Sequence, residues 1–359
     1  MNYYAILCLA YLLFGRQDKL KNLIIRPQGI GDIVLMIPAL RSLCKNYPND
    51  EFTLLCYKGF GLVLPPELNI KTIEFPRHAG IIDTFKLIKK IRREKFDRVF
   101  DLFGNPRTAI QVLLSGIKKR YGFGYRFRGI VYNNKFDRTI DGGRTHQVNL
   151  YCKFFKKFGF NCEYCLPNLK MPKEVLKKAK MAIPEEFLDN RLLIAVNPNS
   201  TFPTRAWPKE NIIKFINLWY KETKAPVMLT WGAGEEEISK SIIAEVGADK
   251  AFMHKAVKLN EFVALLSLLD LFISGDSGPM HMAWAVGTPV IALFGPTTAA
   301  DVEPLGEKNT TIVAKEIDCL FCHKEYCNTK KCMYAISSEQ VLKVALTKAR
   351  DVQATNRHE

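Results

Sequence analysis

Short apolar runs alternate with amphipathic stretches along the first half of the chain. Lys21–Arg26 (KNLIIR), Phe52–Tyr57, Ile70–Phe75 and Arg98–Leu102 read as buried strands. Three helical patterns lie among them: Ile33–Leu43, which Pro38 is expected to break early, then Ile81–Lys95 and Pro106–Ser115. In the second of these, Ile82, Phe85, Ile88 or Lys89, and Arg92 fall at helical spacing. The second half repeats the plan, with strands at Leu192–Val196, Val227–Trp231, Leu271–Ser274 and Val290–Phe294. Its helices are Pro208–Tyr220, Glu235–Val246, Asn260–Leu269 and Pro279–Val286, and a last one, Ser338–Arg350, starts from a serine cap at Ser337. Such βα alternation predicts an α/β fold with parallel doubly wound sheets. Pro167 to Pro184 reads as a linker carrying a lysine-rich helix. The expected divisions are an apolar N-terminal segment (1–19), a first domain (20–172), a second (185–335), and a C-terminal helix and tail (336–359).

Composition adds an asymmetry. With 359 residues, 48% of them hydrophobic and 25% charged, the chain has the makeup of a globular protein rather than a disordered one. Its net charge is +16. Residues 1–172 hold 29 Lys+Arg against 13 Asp+Glu, whereas residues 173–359 hold 23 of each. The whole excess therefore sits on the first half and calls for an anionic partner there: a membrane surface, a phosphorylated substrate or nucleic acid. No basic-aromatic module supports the last of these. Ten cysteines in a chain this long do not make a secreted disulfide scaffold, and Cys8, Cys44, Cys56 and Cys152 lie in apolar segments as reduced core residues. The apolar run Tyr3–Phe14 is too short to span a bilayer, for which about 20 residues are needed. No basic residue precedes it, and Gly15-Arg16 is no small-x-small cleavage site, so it is not read as a signal peptide. It either docks on the domain or dips into a membrane interface; Arg16, Lys19 and Lys21 directly after it favour the second.

The most informative stretch is Ile273–Thr297, ISGDSGPMHMAWAVGTPVIALFGPT. It reads as strand, polar turn, small-residue helix and second strand, with Asp276, Ser277 and Gly278 at a strand's carboxyl end and a helix's amino end. Ligands of open α/β sheets bind at such ends, where free N–H groups also meet anions. A second turn, Gly295-Pro296-Thr297, follows the next strand. Three further turns carry polar chemistry. Gln28-Gly29-Ile30-Gly31-Asp32 has two glycines and a carboxylate opening a helix, although it lacks the third glycine of a dinucleotide fingerprint and the Gly-Lys-Ser/Thr of a P-loop. Asn197 to Pro208 brings Ser200, Thr201 and Arg205, hydroxyls and a fork-shaped cation suited to a diphosphate. Trp231-Gly-Ala-Gly-Glu235-Glu236-Glu237 is a tight turn with a glutamate able to accept from ribose hydroxyls.

Taken together, Gln28–Asp32, Ser200–Trp207, Trp231–Glu235 and Asp276–His281 resemble the ADP-heptose:lipopolysaccharide heptosyltransferase family of GT-B glycosyltransferases, over nearly the whole chain from Leu23 on. The resemblance implies two Rossmann-like domains facing across a cleft. It implies inverting, metal-independent transfer from a nucleotide-diphosphate sugar, with no cofactor and no metal in the site. Asp32 matches the catalytic base; Ser200, Thr201 and Arg205 the diphosphate loop; and Glu235, or Glu236, the nucleotide-contacting glutamate. Asp276, Ser277 and Gly278 match donor contacts, Gln28, Gly29 and Gly31 lie near the acceptor, and His281 is read as a packing residue. One departure is Arg205, where the family commonly has lysine. The implied partners are an ADP-sugar, an anionic lipid-linked saccharide and the inner-membrane surface, with the protein cytoplasmic and peripheral, and Lys86, Lys89, Lys90, Arg92, Arg93 and Lys95 facing that surface. A relative using another sugar or acceptor, or a sugar-nucleotide epimerase, shares the same architecture. Cys319-x2-Cys322-x4-Cys327-x4-Cys332, with His323 inside, leaves metal, disulfide and free thiols all open.

Overall fold

The computed structural model describes residues 19–124, 126–143, 145–188 and 192–356; the Tyr3–Phe14 run and Arg16 lie outside the described residues. Six strands form one sheet: β1 (Lys21–Ile25), β2 (Glu51–Tyr57), β3 (Lys71–Phe75), β4 (Arg98–Asp101), β5 (Lys119–Phe123) and β6 (Asn134–Phe136). They are all parallel, in the order β3-β2-β1-β4-β5-β6. Helices α1 (Ile30–Asn46), α2 (Ile81–Glu94), α3 (Pro106–Ser115) and α4 (Gln147–Lys157) connect them. The second sheet holds β7 (Ile194–Asn197), β8 (Val227–Leu229), β9 (Ala251–Met253), β10 (Leu271–Gly275), β11 (Val290–Phe294) and β12 (Thr310–Val313). Its order is β12-β11-β10-β7-β8-β9, again all parallel. With it go α5 (Lys173–Lys180), α6 (Lys209–Thr223), α7 (Glu236–Val246), α8 (Leu259–Leu266), α9 (Gly278–Ala285) and α10 (Ser338–Asn356). The α/β class with doubly wound parallel sheets is as the sequence predicts. Chain order reverses between β1 and β4 and between β7 and β10, the places where such sheets bind ligands.

The described chain divides into two compact units. Residues 19–28, 39–143 and 151–163 form the first; residues 29–38, 145–150 and 164–356 form the second. The central strands are sealed on both sides: Leu23, Ile24, Ile25, Leu54, Leu55 and Phe100 are fully buried in one sheet, and Ile194, Val196, Ile273 and Ile291 in the other. Trp207, Phe215 and Trp219 fill the space beside the second sheet.

Two expectations fail, each for a physical reason. Pro38 does not break the first helix; α1 runs through it from Ile30 to Asn46. Pro38 removes one helical hydrogen bond, at a cost of about 3 kcal/mol in a helix interior. Burial of Ile33, Val34, Leu35, Met36, Ile37, Ala39 and Leu40 outweighs that. On α2 the inward stripe is Leu87, Ile88 and Ile91, whereas Ile82 and Phe85 stand 70% and 63% exposed. Arg92 is occupied at the surface, where its Nε donates to the Leu114 carbonyl at 2.7 Å.

A buried carboxylate organises the first unit. Asp101, at the end of β4, accepts from the Phe103 and Gly104 N–H groups through Oδ1 and from the Tyr132 hydroxyl through Oδ2, at 3.0, 2.8 and 2.7 Å. Burial nonetheless pushes its pKa up. Tyr132→Phe removes one charge-assisted donor from this group, and should lower the unfolding free energy by about 1–3 kcal/mol in a urea titration.

Candidate active site

Four neighbouring parallel strands, β11, β10, β7 and β8, end on one rim of the second sheet. The loops that leave them are four of the polar turns singled out from sequence: Gly295–Thr297, Asp276–Gly278, Asn197–Pro208 and Trp231–Glu235. Parallel register guarantees this convergence, because every strand delivers its carboxyl end to the same edge. Gly29–Pro38 packs within the same compact unit. Asp32, expected to reach the site from the first domain, therefore belongs with the second unit.

The centre is an ion pair. Arg205 Nη1 lies 2.9 Å from Oδ2 of the buried Asp276. The guanidinium also rests on the Phe202 ring, 4.5 Å from its centroid. The loop carrying Arg205 reaches Asp276 by crossing the end of β10, and Gly275 permits it: a Cβ there would collide with the Arg205 carbonyl oxygen. Ser277 caps α9, its Oγ accepting from Met280 N at 3.4 Å, and Pro279 in the first turn leaves an N–H-poor but properly oriented helix start.

His281 lies beneath this pair. Its Nε2 is 3.8 Å from Asp276 Oδ1, beyond hydrogen-bond reach, and its Nδ1 is buried without a hydrogen-bond partner. Burial lowers its pKa; the charges of Asp276 and Asp32 oppose that shift without overcoming it, so the ring is neutral. Gly31 presses on it, since a Cβ at Gly31 would sit 2.5 Å from Cδ2. Gly29 holds a left-handed φ of +84°, which turns the chain into α1 and leaves Asp32 half-buried in the helix's first turn. Gln28 is the last residue of this segment assigned to the first unit.

A buried polar network missed from sequence underlies the rim. Asn197 Nδ2 donates to Ser274 Oγ and Ser277 Oγ, both at 3.3 Å, and to the Asn199 carbonyl at 2.8 Å. Its Oδ1 accepts from Thr230 Oγ1 at 3.3 Å. The signal was present: IAVN, VMLT and LFIS each finish an apolar strand with a polar residue at the same level. His254 is a second residue that was not foreseen. It stacks on Trp231 at 5.4 Å, its Nδ1 donates to the Lys255 carbonyl at 2.7 Å, and its Nε2 accepts from Trp231 N at 3.4 Å, which fixes a neutral tautomer. Glu235 is exposed and folds back, accepting from Gly232 N at 3.1 Å. Thr201 is exposed, Ser200 half-buried, and neither hydroxyl is joined to the Arg205–Asp276 pair.

The cysteine-rich segment runs past the same rim, with Phe321 N donating to Gly295 O and His323 N to Pro296 O, at 3.0 and 2.8 Å. Cys319, Cys322, Cys327 and Cys332 are free thiols, and among the described residues no three His, Cys, Asp or Glu side chains converge to hold a metal.

This arrangement of turns, ion pair and capped helix can be set against known proteins. The family model of glycosyltransferase family 9 (heptosyltransferase) matches residues 84–333, more than half of the chain. The chain belongs to glycosyltransferase family 9. It is similar to lipooligosaccharide heptosyltransferase 2 of Campylobacter jejuni, 24% identical over 328 residues that cover 88% of this chain and 95% of the relative. Among solved structures it resembles Escherichia coli ADP-heptose LPS heptosyltransferase II, with a TM-score of 0.74 at 19% identity, covering 93% and 100% of the two chains. It also resembles E. coli heptosyltransferase WaaC with ADP-2-deoxy-2-fluoro heptose, TM-score 0.67 at 18% identity, covering 91% and 99%. The resemblance read from sequence is borne out, and so is the fold. This family 9 protein is a glycosyltransferase.

Burial depresses the pKa values of His146, His254 and His281 alike. The unfolded chain therefore binds more protons than the folded enzyme below the ordinary histidine value of about 6.5, and stability falls as pH drops through that value. The melting temperature should decline from pH 7.5 to 5.5, and decline less in His254→Gln; equal declines would remove His254 from the account.

Proposed function

We propose that this enzyme transfers a heptose from ADP-heptose to a lipid A–inner core acceptor, with inversion at the anomeric carbon. The observation that carries the proposal is the Arg205–Asp276 pair beside a capped helix start, with the half-buried carboxylate of Asp32 in the same compact unit. In this reading Ser200, Thr201 and Arg205 hold the diphosphate, and an incoming pyrophosphate competes with Asp276 for the guanidinium. Asp276, Ser277 and Gly278 hold the donor, aided by the first turn of α9. Trp231 and Glu235 face the nucleoside. Gln28, Gly29 and Gly31 lie near the acceptor, with residues 20–172 as the acceptor domain and residues 185–335 as the nucleotide-sugar domain. The names of the curated relatives and the ADP-heptose analogue in one solved relative support the choice of donor.

The reaction needs one proton removed and one leaving group stabilised. The carboxylate of Asp32 takes the proton of the acceptor hydroxyl as its oxygen bonds to the anomeric carbon. The bond from that carbon to the β-phosphate oxygen breaks, and ADP departs with the electron pair. Arg205 and backbone N–H groups meet the charge that develops there, so this chemistry calls for neither a metal nor a cofactor. The acceptor is lipid-linked, so the enzyme works in the cytoplasm as a peripheral protein of the inner membrane.

General-base help of this kind is worth about 10²–10⁴ in rate. Asp32→Asn should therefore lower turnover by about that factor while ADP binding, measured by calorimetry, stays within about threefold. Turnover near wild type would remove Asp32 from the role. A panel of nucleotide sugars tested for the rise each gives in melting temperature identifies the donor.

A further inference from the structure

The apolar face that α2 and α3 turn outward is unexplained by the fold. Ile81, Ile82, Phe85, Ile110 and Leu113 are between 54 and 77% exposed. The two helices pack side by side, and an open groove of about 380 Å³ runs between them, lined by Ile81, Phe85, Ile88, Ile110 and Leu114. Contiguous apolar surface of this kind on a globular unit marks a docking site. Arg107 and Arg92 stitch the helices together by donating to the carbonyls of Ala79 and Leu114, and Asp83 is spent on Gly80 N at 3.1 Å. The exposed charges left on α2 beside the patch are dominated by one sign. Lys86, Lys89, Lys90 and Arg93 form a stripe at helical spacing next to Ile82 and Phe85.

We propose that this α2–α3 face docks on an anionic lipid bilayer, the apolar side chains entering the interface and the basic stripe meeting lipid headgroups. The two halves of the argument fit one occupant. Apolar residues alone would suit a second copy of the chain, but a two-fold interface would set the basic stripes against each other. A helical surface with large apolar side chains on one side and lysines on the other is what an interfacial element presents to acidic lipid. The whole +16 of the chain also lies in residues 1–172, the part that carries these helices. Position adds to this. In a parallel sheet α2 and α3 both start at the carboxyl edge, as does the turn after β1 that ends in Gln28, so Ile81, Ile82 and Phe85 lie toward the rim where the acceptor is proposed to bind. That last point rests on the heptosyltransferase reading; the docking face itself does not.

The test is sedimentation of the full chain with phosphatidylcholine vesicles and with phosphatidylcholine–phosphatidylglycerol vesicles, in the absence of donor and acceptor. Wild type should bind the anionic vesicles about tenfold or more better than the neutral ones. Ile82→Ser/Phe85→Ser and, separately, Lys86→Gln/Lys89→Gln/Lys90→Gln should each weaken that binding by about tenfold. The second variant changes only exposed charges and keeps the test open if the first fails to fold, as checked by its melting curve. Binding indifferent to lipid charge, or variants that bind as wild type does, would overturn the proposal. So would a wild-type dimer that the apolar variant dissociates without any vesicle binding. Because no sugar nucleotide is present, an error in the donor leaves the result untouched. Transfer to a delipidated acceptor should stay within about twofold in both variants, separating loss of docking from loss of chemistry.

Discussion

A carboxylate withdrawn from water has to be answered by a cation, and in the second unit that carboxylate is Asp276. Arg205 answers it from a loop that leaves a neighbouring strand, so the loop has to be led over the end of β10 and held there. Gly275 clears the way. Thr204 Oγ1 donates to the Lys324 carbonyl at 2.8 Å, and Trp207 Nε1 donates to the Ile336 carbonyl at 3.0 Å, so both ends of the loop are tied down. The pair adds little net stability, because desolvating two charges offsets most of their attraction. Its placement is better understood as the means by which a guanidinium is kept ready at a helix start.

Polarity at the rim is graded with depth. The deepest layer, Asn197, Thr230 and Ser274, is neutral and bonded among its own members. Above it Ser277 links the network to the helix cap. His281 is neutral through burial and brings no positive charge between Asp32 and Asp276. The one formal cation that reaches Asp276 is thus Arg205. Arg205 is also the position at which this chain departs from the lysine common in its family. A guanidinium can hold Asp276 through one nitrogen and lie flat on Phe202, which an ammonium would not do in the same way.

Much of this was legible in the residues. The long central strands announce themselves because a parallel strand buried on both faces is a continuous apolar run, and the turns after them because Gly, Asp and Ser have few other uses there. Strands β5, β6, β9 and β12 went unread; β6 and β9 have three residues each, and β5 opens with Lys119 and Arg120, so none offers enough apolar length. Pro38 misled because local cost was weighed without the burial surrounding it. The face of α2 misled because Ile82 and Phe85 obey helical spacing as well as Leu87, Ile88 and Ile91 do; periodicity says that a stripe exists, and only packing says which stripe turns inward. Asn197 and His254 were missed because their partners lie 77 and 23 residues away along the chain.

The stacking of Trp231 on His254 carries a spectroscopic consequence. Trp207, Trp219 and Trp284 are sealed in the interior, whereas Trp231 is half-buried at the mouth of the turn proposed to face the nucleoside. Of the four indoles it alone has solvent on one side and an imidazole on the other. Its emission is therefore separable from the rest by a water-soluble quencher, and the chain holds its own optical gauge of whether that turn is occupied.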